Sequence, residues 1–92
     1  MYLEIVSPEA TLFSGEVTSV TVPGINGEFH MLENHAPIVS LLQEGEVKVQ
    51  GDITIEEDFQ NKFAQGTNGE NVLAINSGTI ELKDNKVIVL AD

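Results

Sequence analysis

Apolar and polar residues alternate in short stretches along most of this chain, and Gly, Pro, Asn or Ser separates the stretches. Tyr2-Leu3-Glu4-Ile5-Val6 alternates as a half-buried strand does, with Leu3 and Ile5 on one face. Ser7-Pro8 ends it, because proline has no ladder donor and pushes its predecessor toward extended geometry. Ser14-Gly15 reads as a turn into a strand from Glu16 to Val22, which Pro23-Gly24 stops. Asn26-Gly27 is a hairpin dipeptide, since both residues tolerate positive φ. Beyond it, Phe29 and Met31 fall on one face of a strand, and Glu28 and His30 on the other. Ile38 to Leu42 and Glu46 to Gln50 follow as further strands.

The last quarter has the same pattern. Val72 to Ile75 and Thr79 to Lys83 are strands, Asp84-Asn85 is a tight turn, and Val87-Ile88-Val89-Leu90 is apolar on both faces. Strands every 8–12 residues with such turns predict an antiparallel sandwich or barrel. Residues 51–71 break the rhythm. There Ile55, Phe59 and Phe63 recur at helical spacing, and Glu56-Glu57-Asp58 sits where a helix N-terminus favours negative charge. The pattern predicts a short strand extension at Ile53-Thr54-Ile55, then about two turns of helix, as an insertion on one sheet edge.

Composition narrows what such a fold can do. Ninety-two residues allow one domain, 1–92, burying on the order of 60–65% of its unfolded surface. That core leaves little room for a deep substrate cleft. The net charge is −11, and the only cations are Lys48, Lys62, Lys83 and Lys86. Phosphate, nucleic-acid and anionic-membrane binding ordinarily require many more. Basic partners are favoured instead, although such a charge also serves solubility alone. With no cysteine there is no disulfide, thiolate metal site or thiol nucleophile. No apolar run reaches the length of a membrane span, and no signal or transit segment opens the chain.

Chemistry is sparse. No serine lies in a Gly-x-Ser-x-Gly or Ser-x-x-Lys setting, and neither His30 nor His35 is paired by sequence to a nucleophile. The spacing of the two histidines is not a zinc spacing, with Glu33 between them the one further ligand. Pro23 to Gly27 lacks the Gly-Lys-Ser/Thr ending of a phosphate loop. The expectation is therefore a non-catalytic domain with no catalytic, cofactor or metal residues. Its binding residues would lie in the turn-rich stretch 23–37.

An ordered set of motifs then identifies a relationship. Ser7-Pro8-Glu9, Leu12-Phe13-Ser14-Gly15-Glu16-Val17, Val22-Pro23-Gly24, Gly27-Glu28-Phe29 and Asn34-His35-Ala36-Pro37-Ile38 resemble the N-terminal β-domain of the ATP synthase epsilon subunit. Ser77 to Glu81 and Asn85 to Asp92 are similar to the end of that domain, so the resemblance covers 2–50 and 72–92. It implies an all-β fold, a flattened antiparallel β-sandwich of about ten strands. It also implies a rotor subunit of the central stalk that binds the gamma subunit and the polar loops of the c-ring, coupling proton flow to ATP synthesis. Carried over by motif, Gly27, Glu28 and His30 would face the c-ring, where Glu28 would meet a basic loop residue. Ser7, His35, Ala36 and Pro37 would lie near gamma. No cofactor, nucleic acid or direct membrane insertion is implied. The place is the cytoplasmic face of the bacterial inner membrane, held peripherally through the complex.

Two departures stand against the family pattern. His30 replaces a usual glycine, and Glu33-Asn34 replaces Pro-Gly or Pro-Asn. The chain also stops at Ala91-Asp92, where most members continue into two helices that inhibit ATP hydrolysis. That stop is read as a naturally short form ahead of a truncated one, with Ile55, Phe59 and Phe63 covering surface that the helices cover elsewhere. Two other classes stay open at this point. One is a free-standing β-sandwich adaptor for another basic partner, and the other a small carbohydrate- or metal-binding enzyme built on His30, His35 and Glu33.

Overall fold

A computed structural model describes all residues, 1–92. Ten strands form: β1 (Tyr2–Val6), β2 (Thr11–Glu16), β3 (Ser19–Gly24), β4 (Gly27–Leu32), β5 (Ile38–Leu42), β6 (Gly45–Gln50), β7 (Phe63–Gln65), β8 (Asn71–Ile75), β9 (Gly78–Lys83) and β10 (Lys86–Ala91). Hydrogen bonding runs β2-β1-β10-β9-β5 in one half and β4-β3-β6-β8-β7 in the other. The halves pack over a common core as a β-sandwich. Every pairing is antiparallel but one: β1 lies parallel to β10, from Tyr2↔Lys86 to Val6↔Leu90.

The core consists of the inward residues of the alternating stretches. Leu3 and Ile5 of β1, Val20 and Val22 of β3, Val47 and Val49 of β6, Ile80 and Leu82 of β9, and Val87 and Val89 of β10 are at most 1% exposed. Met31 of β4 joins them, fully buried. Each such side chain contributes about 1.5–3 kcal/mol through removal from water. Phe29, on the same side of β4, is only half-buried and packs at the margin of this core.

The two halves are joined at the end of β3. Its first part pairs with β6 through Ser19↔Gln50 and Thr21↔Lys48, while its last residue pairs with β5 through Gly24↔Leu42. Pro23 gives no N–H to the ladder, and its carbonyl accepts the Gln43 N–H at 2.9 Å. Gly24 is required by close approach, because a Cβ there would lie 2.8 Å from the Phe29 ring and 2.9 Å from the Gly27 carbonyl oxygen.

Three local expectations are corrected. Ser14 and Gly15 belong to β2, and the break falls at Val17-Thr18. A Cβ at Gly15 would lie 3.1 Å from the tip of the Phe13 ring, a tight contact within the strand. At the hairpin, Ile25 and Asn26 make the turn and only Gly27, with φ of 125°, takes positive φ. In 51–71, Ile53 to Ile55 forms no strand, and a 3-10 helix spans Glu57–Lys62 in place of α-helical turns. Glu56 makes no side-chain cap, and Phe63 leaves the helical register to pair with Leu73 as the start of edge strand β7. Ile55 is buried, and Phe59 and Phe63 pack against the core. The Asp84-Asn85 turn forms as expected, both residues left-handed with φ of 52° and 62°.

Candidate partner-binding faces

The β3–β4 hairpin projects the residues expected to face the c-ring. Inward burial of Met31 fixes the register, so Glu28 and His30 point outward on the same face. The Glu28 carboxylate is already engaged: Lys48 of β6 reaches across β3 to it at 3.2 Å. His30 stands opposite Thr21, with a hydrogen bond of 2.6 Å between Thr21 Oγ1 and His30 Nδ1. Gly27 is exposed beside them. The outer face of this half thus carries two separate polar pairs, Glu28 with Lys48 and His30 with Thr21, and ends at exposed Leu32.

The residues expected near gamma do not form one cluster. Ser7 follows the end of β1, where its N–H and hydroxyl both donate to the Ala10 carbonyl and turn the chain into β2. His35, Ala36 and Pro37 are exposed just before β5, where His35 Nδ1 donates to the Ala36 carbonyl at 2.8 Å. Strands β10 and β9 lie between β1 and β5, and the register puts Ser7 and Pro37 at opposite ends of them. They mark diagonal corners of one sheet face.

That face carries residues the motifs did not single out. Crossing β1, β10, β9 and β5, one row reads Val6, Leu90, Thr79, Leu41, and the next reads Glu4, Ile88, Glu81, Val39. The last row reads Tyr2, Lys86, Lys83 and ends beside Pro37. Val39 is 75% exposed, Leu41 58% and Leu90 50%. Ile25 of the hairpin turn extends the apolar row, its N–H donating to the Leu41 carbonyl. The available signal was the apolarity of Ile38–Leu42 and Val87–Leu90 on both faces. A strand with one solvated face has no folding need for it.

Glu33, between the two faces, has a structural task. Its carboxylate accepts hydrogen bonds from the Met1 ammonium and from Asn85 Nδ2, tying the β4–β5 loop to the β9–β10 turn. Asn85 Oδ1 in turn accepts the Asn34 N–H at 2.9 Å. The ammonium, then Asn85, hold the Glu33 carboxyl below the usual carboxylate range, while Glu33 raises the ammonium above its ordinary value. His30 bonds to Thr21 and His35 to its own neighbour, so Glu33 and the two histidines are not brought together. No helix is long and apolar enough to cross a membrane.

Comparison with known proteins agrees with this architecture. The family described as ATP synthase, Delta/Epsilon chain, beta-sandwich domain matches residues 1–92, the 51–71 segment included. The chain is 39% identical over 92 residues to the ATP synthase epsilon chain of Campylobacter curvus (strain 525.92), spanning 60% of that protein's length. It is 36% identical over 90 residues to that of Chlorobium limicola, covering 98% of this chain and 86% of the relative. A chain from the central stalk/c-ring structure of the Tetrahymena thermophila mitochondrial ATP synthase superposes with a TM-score of 0.75. At 11% identity, over 99% of this chain and 62% of the other, that likeness is one of fold.

Proposed function

We propose a role in the rotating central stalk for this chain, which belongs to the family of ATP synthase delta/epsilon β-sandwich domains. In this reading it has no active site of its own. It binds the gamma subunit on one face and the polar loops of the c-ring on the other, and so couples proton flow to ATP synthesis. Residues 1–92 act as one epsilon-type domain with its excursion at about 51–71. The domain is held peripherally at the cytoplasmic side of the membrane through the complex.

The observation that carries the reading is the exposed apolar row Ile25, Leu41 and Leu90, with Val39 beside it. Exposed apolar side chains grouped on one sheet face, with Thr79 between Leu41 and Leu90, mark a surface awaiting a partner. The corners of that face are Ser7 and His35-Ala36-Pro37, which supports gamma as the occupant. For the c-ring, Glu28 and His30 project from a hairpin braced by Gly24 and Gly27, with Lys48 holding the carboxylate until a basic loop competes for it. A rim charge of this kind sets orientation and specificity more than affinity.

Reassembly of a synthase with and without this subunit, reading proton pumping per ATP hydrolysed, tests the role. Omission is expected to uncouple the two and to loosen gamma from the c-ring. Unchanged coupling and stalk assembly would remove the proposal.

A further inference from the structure

The chain has only four cations, yet two of them face each other. Lys83 of β9 and Lys86 of β10 are a direct cross-strand pair on the outer face, in a register fixed by the two left-handed turn residues Asp84 and Asn85. Like charges so placed oppose sheet formation. The ion pairs of the structure use Met1, Glu16, Glu33, Glu28 and Lys48, and neither Lys83 nor Lys86 takes part. The Tyr2 ring lies 5.9 Å from the Lys86 Nζ and keeps that ammonium above the face. In a chain with fifteen acids, a glutamate at either position would turn repulsion into attraction. Lys86 thus has an intrachain partner in Tyr2, and Lys83 opposite it has none.

A second feature adjoins it. Pro37, Ile38, Val39, Glu81, Leu82 and Lys83 enclose a shallow, mainly apolar hollow of about 230 Å³. Exposed Val39 is on its rim, and the hollow is large enough for one aliphatic or aromatic side chain. Lys83 lines this seat and Lys86 stands opposite Lys83, while Glu81 lines the far side. An apolar side chain in the seat therefore fits a segment whose carboxylate lies toward the lysines and away from Glu81.

We propose that the Lys83–Lys86 corner reads an acidic, apolar-flanked segment of a protein partner, the carboxylate bridging both ammoniums and the neighbouring side chain filling the hollow. The proposal rests on the reading that this face meets gamma, and adds the chemistry of the contact. Its polarity is opposite to that of the hairpin: this corner selects an acid, Glu28 a base. Because the domain as a whole is strongly negative, it repels acids at long range, and the lysine pair makes one position acceptable at short range. The segment is thereby fixed in place as well as held.

The test is calorimetric titration of gamma with this chain, with thermal melts to verify the fold of each variant. The arms are the unaltered chain, Lys83→Gln/Lys86→Gln, Val39→Ser/Leu41→Ser, and the unaltered chain in millimolar inorganic phosphate. The lysine variant is expected to bind about tenfold more weakly at low salt, as two charge-assisted contacts are lost, with the gap narrowing as salt rises. A change below about twofold, with the Val39/Leu41 variant strongly weakened, overturns the corner while leaving the gamma reading intact; about tenfold is 1.4 kcal/mol. Binding unaffected by either pair of substitutions removes the gamma reading and the corner with it. Displacement of gamma by phosphate overturns the protein-acid assignment and makes the pair a small-anion site.

Discussion

The two outer faces of this sandwich come from the same alternation and are filled in opposite ways. On the β4-β3-β6 side the outward positions hold exposed Leu32 at the end of β4 and two polar pairs, Glu28 with Lys48 and His30 with Thr21. On the β5-β9-β10-β1 side they hold exposed Val39, Leu41 and Leu90 among Glu4, Thr79 and Glu81, and a lysine pair of which only Lys86 has a partner, the Tyr2 ring. A self-satisfied polar face is ready to exchange partners. An unsatisfied apolar face is built to be covered.

The comparison is sharpest when both faces are set against the core between them. Met31→Ala should cost about 2–5 kcal/mol of folding stability, read by denaturant titration, because its side chain is fully buried. Phe29→Ala should fall below the ~3–5 kcal/mol of a fully buried phenylalanine, since it packs at the core margin. If the Phe29 variant cost more than the Met31 variant, Phe29 would be a full member of the core and not a residue of its margin.

Val39→Ser/Leu41→Ser should leave stability within about 0.5 kcal/mol while lowering gamma affinity at least tenfold, measured by chemical melts and by co-purification. Equal losses of both would make the row a structural surface. On the opposite face, Glu28→Gln should alter stability by less than about 1 kcal/mol, because it removes one exposed ion pair. Its larger effect should be on proton pumping in the reassembled motor. A loss of folding without a loss of coupling would reverse the assignment of that face.

The smallest effect concerns the loop between the faces. Glu33 has a depressed pKa in the fold, so its contribution is present above the unfolded carboxylate value and is lost as pH falls through the lower folded value. The Met1 ammonium has a raised pKa, so its contribution is complete below about the ordinary 8.0 and is lost as pH rises through the folded value. Glu33→Gln should therefore flatten both limbs of a melting-temperature profile between acid and mildly alkaline pH. A profile parallel to that of the unaltered chain would show that Glu33 contributes nothing to it.

Much of this was legible in the residues. The inward set Leu3, Ile5, Met31, Val47, Val49, Ile80 and Leu82 follows from period-two alternation, which a half-buried strand enforces. The β2–β3 break was hidden because Gly15 looks like a turn residue. Within β2 it lies two residues along from Phe13 on the same face, where a Cβ would crowd the tip of that ring, and the turn-like look of Ser14-Gly15 hid this strand neighbourhood. In 51–71 the spacing of Ile55, Phe59 and Phe63 is helical, but pairing of Phe63 with Leu73 outweighs that local preference. The apolar face was visible as runs apolar on both sides. The opposition of Lys83 and Lys86, and the diagonal placement of Ser7 and Pro37, depend on register across β1, β10, β9 and β5.

The parallel pairing of β1 with β10 has a mechanical consequence. A tug that drew the start of β1 and the finish of β10 apart along their length would load the slanted hydrogen bonds from Tyr2↔Lys86 to Val6↔Leu90 in shear. The bonds would resist together, whereas an antiparallel hairpin pulled at its open end unzips one rung at a time. Strands β1 and β10 thus form a shear clamp that closes this half of the sandwich.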